Sequence, residues 1–134
     1  MYALAGHPVW GQSAFELLKR IEAKHDVGLA SCVCLTEVIA GPGAISAGKG
    51  ADAQLFMEGL EGIDYVPAGL EISIIAGRLR SQYRALRTVD ALQLATALEQ
   101  KVDVFVTNDH GLLKLKLDGL RIHLLGDPLP SVRA

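Results

Sequence analysis

Aromatic side chains make up only 5% of the 134 residues. Any core must therefore be built from Leu, Ile, Val and Ala, which with the other apolar residues reach 50% of the chain. Cysteine is scarcer still. Cys32 and Cys34 stand two apart in an apolar segment with no second pair to complete a thiolate metal site, so they read as buried free thiols in a reducing, cytoplasmic setting. No excess of one charge exists either. A net charge of -2 argues against a protein that coats nucleic acid by bulk charge, while leaving room for a local basic patch. Long uninterrupted hydrophobic runs are missing too: the most apolar stretch, 28–45, carries Glu37 and the breaker Gly41-Pro42-Gly43, so no membrane span is expected. The opening residues lack the basic n-region and apolar core of a signal peptide.

What is present is alternation of helix and strand. Ala14, Leu17, Leu18 and Ile21 recur at helical spacing within 11–24, predicting an amphipathic surface helix. Residues 27–31 suit a short buried strand, with Ser31 placed to cap a helix running to about Ala40 and Glu37 near its start. A Gly-rich connector, 41–50, contains Gly48-Lys49-Gly50 but not the full spacing of a phosphate loop. A helix over 51–59 with Leu55 and Phe56 inward and a strand over 63–66 follow. Between Leu70 and Leu86 an apolar stripe of Ile72, Ile75, Leu79 and Tyr83 predicts another helix, with Arg80, Arg84 and Arg87 on a second face that could guide a polyanion. A helix from Ala91, a strand to Thr107, a turn near Leu112 and a strand over 122–125 complete the pattern, leaving 126–134 as a loose tail. Such alternation implies one α/β domain over 1–134 with a mostly parallel sheet covered on both faces.

The helix from Ala91 to about Lys101 advances roughly 16 Å at about 1.5 Å per residue, and the strand back to Thr107 retraces a similar distance. Asp109 therefore returns to the level of Asp90, at the sheet edge where open α/β folds build their sites. Glu37 also follows a strand and can project from that edge. Converging carboxylates suit Mg²⁺ or Mn²⁺, which take oxygen ligands. Each residue also has a plainer role open to it. Asp90 and Asp109 could be helix caps, Glu37 an exposed helix charge, and Thr107 and Asn108 could satisfy a loop rather than orient a ligand. Among the histidines only His110, beside Asp109, is placed to matter.

From Leu79 to Asp109 the text LRSQYRALRTVDALQLATALEQKVDVFVTND, with a weaker match at SCVCLTEVIAG from Ser31 to Gly41, resembles the PIN-domain family and in particular its VapC-type toxin ribonucleases. The resemblance implies a three-layer α/β/α domain that binds Mg²⁺ or Mn²⁺ and cuts RNA at phosphodiester bonds. It assigns the metal-binding, catalytic acids to Glu37, Asp90 and Asp109, with Thr107 in a supporting role beside Asn108. It also implies a homodimer and a cognate antitoxin that fills the site.

One departure is large. Similar proteins open with a strand ending in Asp followed by Thr or Ser, the source of a first metal-binding carboxylate and of the central strand. Here no acid precedes Glu16, and 1–5 resemble the helix after that motif. The reading that follows is a truncated domain, its central first strand missing from between 27–31 and 102–107, with three of four acids and weakened or lost activity. A non-catalytic PIN-like module that keeps an antitoxin or dimer surface is the alternative. A receiver-like signalling domain would need an acidic pair after the first strand and a suitably placed lysine, neither of which is evident.

Overall fold

The computed structural model describes residues 2–4, 12–23, 27–40, 54–55, 57–125 and 127. The predicted connector 41–50, Phe56 and most of the tail lie outside them. In chain order the elements are β1 (Tyr2–Leu4), α1 (Gln12–Glu22), β2 (Gly28–Ser31), α2 (Cys32–Ile39), β3 (Ile63–Val66), α3 (Leu70–Gln82), α4 (Thr88–Glu99), β4 (Val104–Thr107), a 3-10 turn (His110–Lys114) and β5 (Arg121–Leu124). The five strands form one sheet in the order β3-β2-β1-β4-β5, with every neighbouring pair parallel.

This order corrects the expected gap. A strand does lie between β2 and β4, as predicted, but the chain supplies it: Tyr2 aligns with both Gly28 and Val104, and Leu4 with both Ala30 and Val106. Residues 2–4 are therefore the central strand and not the close of a helix, and the backbone polar groups of both neighbours are paired. Two differences at the level of residues also stand against expectation. Glu37 sits in the second turn of α2 rather than near its start, and Leu55 is 67% exposed while Met57, two residues on, is 1% exposed and fills the core.

Alternation along the short strands divides the core in two, because successive strand residues face opposite sides. Leu29 of β2 and Phe105 of β4 join Ile72, Ala76 and Leu79 of α3 and Leu94 of α4 on one face. On the other, Ala30, Val104 and Val106 meet Leu17 and Ile21 of α1 and Cys34 and Val38 of α2. The result is the three-layer α/β/α arrangement. Gly28 packs closely where β2 enters this core: a Cβ there would lie 2.4 Å from Ile63 Cδ1 and 2.9 Å from Ile21 Cδ1, so those two side-chain ends would have to shift. Among the described residues no helix is long and apolar enough to cross a membrane.

Candidate functional site

Helix α4 carries the first acid into the molecule. Its residues Ala91, Leu94, Ala95 and Ala97 are fully enclosed, because small or aliphatic side chains on several faces let it pack against α3 and the sheet. Asp90 stands in its first turn, where a carboxylate is favoured by the helix dipole, and is itself buried. It is not the cap: that position belongs to Arg87, whose backbone is extended and whose side chain makes no capping bond.

Asp109 arrives from the opposite direction, two residues beyond β4. Thr107, 2% exposed, accepts the Asp109 backbone N–H on its Oγ1 at 3.0 Å. Asp109 in turn caps the 3-10 turn, its Oδ1 accepting the Gly111 N–H at 2.8 Å. Both acids line one cavity of about 520 Å³, together with Arg84, Arg87 and Lys114. The expected convergence of Asp90 and Asp109 at one edge is thus what the structure shows.

The charge of Asp90 is already answered. Arg87 donates from Nε to Oδ2 at 2.8 Å and from a terminal nitrogen to Oδ1 at 3.2 Å, a two-pronged ion pair. The hydrogen bond and charge of Asp90, aided by the charges of Glu37 and Asp109, hold the Arg87 guanidinium above its ordinary pKa. Of the three acids singled out from sequence, Asp90 and Asp109 line the cavity and Glu37 does not. They do not form a ready cage: among the described residues no group of three His, Cys, Asp or Glu side chains is placed to hold a metal ion.

The arginines are arranged differently from the expected single helical face. Helix α3 stops at Gln82, because Tyr83 turns to an extended backbone, so Arg84 and Arg87 stand on the segment between α3 and α4. Arg80 remains on α3 and braces that segment, donating from Nε to the Leu86 carbonyl at 3.1 Å. It does not line the cavity, whereas Lys114, which no motif or spacing singles out, does.

The PIN domain family model matches residues 10–117, most of the chain and all three acids. The chain belongs to the PIN-domain family. Solved structures with the same fold include VapBC2 from Rickettsia felis bound to a DNA fragment from its promoter, at 19% identity and a TM-score of 0.70 over 92% of this chain and 97% of that one. DNA-bound VapBC from Salmonella typhimurium is similar at 17% identity and a TM-score of 0.67, again over 92% and 97%. A toxin–antitoxin complex from Klebsiella pneumoniae follows at 20% identity and 0.60, over 90% and 95%. No curated protein matches the sequence.

PIN domains are generally nucleases and typically use divalent metal ions. The donor chemistry here fits such an ion, because Mg²⁺ commonly needs only one or two protein carboxylates and leaves its other positions to water and substrate phosphate. Asp90 and Asp109 on one cavity supply those two. The further acid that the resemblance implied after the first strand has no match in the sequence, where Leu4 is followed by Ala5 and Gly6.

Cys34 is buried and Cys32 half-buried, and the two are not bonded to each other. Burial, with a contribution from Glu37, pushes the Cys34 thiol up to about 12, so it stays protonated and inert.

Proposed function

We propose that this PIN domain is the toxin member of a toxin–antitoxin pair, a Mg²⁺- or Mn²⁺-dependent endoribonuclease that hydrolyses RNA phosphodiester bonds. The observation that carries the reading is the cavity shared by Asp90 and Asp109 and bordered by Arg84, Arg87 and Lys114. Two carboxylates are there outnumbered by three basic side chains. That balance draws in a polyanion while keeping oxygen donors within the pocket.

In this reading Asp90 and Asp109 hold the cation, with Glu37 adding charge from α2. When bound, such an ion offsets charge that develops on the phosphate. Arg84 and Lys114 bind the RNA backbone, and Thr107 fixes the loop that orients Asp109. Asn108 supports that loop. A cognate antitoxin is the partner, and a homodimer in the cytoplasm is the working form. The test is cleavage of a panel of structured and single-stranded RNAs by the purified chain with Mg²⁺ or Mn²⁺. Cleavage that needs the cation and is lost in Asp90→Asn supports the reading, and no cleavage under any of these conditions overturns it.

A second reading, a non-catalytic module that binds an antitoxin, is favoured by Ala5 next after β1 in the sequence and by the neutralised state of Asp90. It predicts antitoxin capture with no RNA cleavage.

A further inference from the structure

We propose that Arg87 is the resident counter-ion of the acidic pocket, and that a divalent cation must compete with its guanidinium for the Asp90 carboxylate. The inference rests on the reading of this pocket as a cation site.

The ion pair is unequal in a way that suits exchange. The Asp90 side chain is 7% exposed and fixed by its helix, whereas the Arg87 side chain, which lines the same cavity, is 58% exposed. An arginine so placed can swing away without opening the core, while the carboxylate cannot follow it. Arg87 also precedes the helix with an extended backbone, φ -71° and ψ 152°, so no helical turn confines its side chain. Release would leave the buried Asp90 carboxylate without its partner, a cost that the incoming cation offsets by taking the guanidinium's place.

Competition follows from the chemistry of the carboxylate. Both Asp90 oxygens accept hydrogen bonds from the planar guanidinium fork. A cation approaching from the cavity meets oxygens already polarised toward Arg87, and meets a positive charge beside them. Both oxygens of Asp90 are thus occupied by the guanidinium, and one oxygen of Asp109 accepts the Gly111 N–H. Binding of the ion and release of Arg87 are then one event, and the released guanidinium joins Arg84 and Lys114 in offering positive charge to an anion.

The experiment measures Mn²⁺ binding to the RNA-free full chain by calorimetry and by the loss of the free-ion electron paramagnetic resonance signal. Arg87→Gln should bind Mn²⁺ about tenfold more tightly than the parent, because the two-pronged guanidinium pair no longer competes for the carboxylate. Arg84→Gln removes the same charge from the same cavity without touching the Asp90 pair, and should shift affinity by no more than about twofold. Arg87→Lys keeps the charge but loses the fork, and should fall between them.

Equal affinities for the Arg87→Gln and Arg84→Gln proteins, weaker binding after Arg87→Gln, or no Mn²⁺ bound by any of the proteins would each overturn the proposal. If Arg87→Gln does not fold, the Arg87→Lys protein decides: a gain of about threefold supports competition and an unchanged affinity rejects it. The nuclease reading fails separately. Tighter Mn²⁺ binding after Arg87→Gln without RNA cleavage by the parent keeps the competition and discards the ribonuclease, and cleavage with no effect of Arg87→Gln does the reverse.

Discussion

Thr107 holds Asp109 by its backbone while leaving its carboxylate to the cavity: the threonine hydroxyl accepts the Asp109 N–H at 3.0 Å, and one Asp109 oxygen accepts the Gly111 N–H at 2.8 Å. The acid therefore has a structural task and a proposed chemical one on the same group. Two substitutions separate them. Asp109→Asn keeps an oxygen to cap the 3-10 turn and removes the charge, so its melting temperature should stay near the parent's while cleavage falls about a hundredfold or more. Asp109→Ala loses the cap as well and should cost about 1 kcal/mol of stability in a denaturant titration.

In the sequence Ala5 comes next after β1, where the resemblance to PIN domains implies an acid. Ala5→Asp should strengthen Mn²⁺ binding and raise metal-dependent RNA cleavage several-fold, because another carboxylate adds both a ligand and attraction for the ion. An Ala5→Asn protein, with a side chain of the same shape as Asp but no charge, should show neither gain. Parallel assays of the two proteins check this.

Gly62 and Gly119 both have positive φ, +78° and +79°, but only Gly62 is crowded: a Cβ there would lie 2.8 Å from Ile21 Cγ2 and 3.1 Å from the Ile21 carbonyl oxygen. Gly119→Ala should cost about 1 kcal/mol for the backbone conformation alone. Gly62→Ala should cost about 2 to 3 kcal/mol, since α1 must also shift. The difference between the two urea midpoints measures the crowding at Ile21.

Cys34 makes stability fall with alkali. Its thiol is raised in the folded state, from 9.0 to about 12, so the folded chain retains a proton that the unfolded chain releases. The stabilising contribution is therefore complete below about pH 9 and is lost as pH rises toward 12. Tyr65, buried in part and also raised to about 12, acts in an overlapping range. Urea midpoints at several pH values should decline less steeply above pH 9 for Cys34→Ala than for the parent.

Much of the architecture is legible in the spacing because most elements carry a periodic signal. The pattern bounds β3 at Ile63 and Val66, and Ser31 does cap α2, its Oγ accepting the Val33 N–H at 3.2 Å. The meeting of Asp90 and Asp109 is legible because helix rise and strand rise are constants, so their levels follow from residue counts. Strand β1 is not legible, since three residues are too few for alternation to show. The three arginines mislead for a different reason: their spacing is helical, but α3 ends at Gln82 before the second of them is reached. Arg87 lies three residues before Asp90, the separation at which helical side chains meet, and that spacing holds the clue to the ion pair.

The position of β1 also has a kinetic side. The middle of the sheet is closed by residues 2–4 pairing with 104–106, partners about a hundred residues apart. During synthesis these first residues must wait, unpaired on that side, until β4 has left the ribosome, and loop closure over that distance is slow. The hairpin-free, all-parallel sheet offers no local shortcut. Chain collapse around α3 and α4, which are neighbours in sequence and pack together, should thus precede assembly of the sheet, making the acidic edge one of the last parts of the molecule to form.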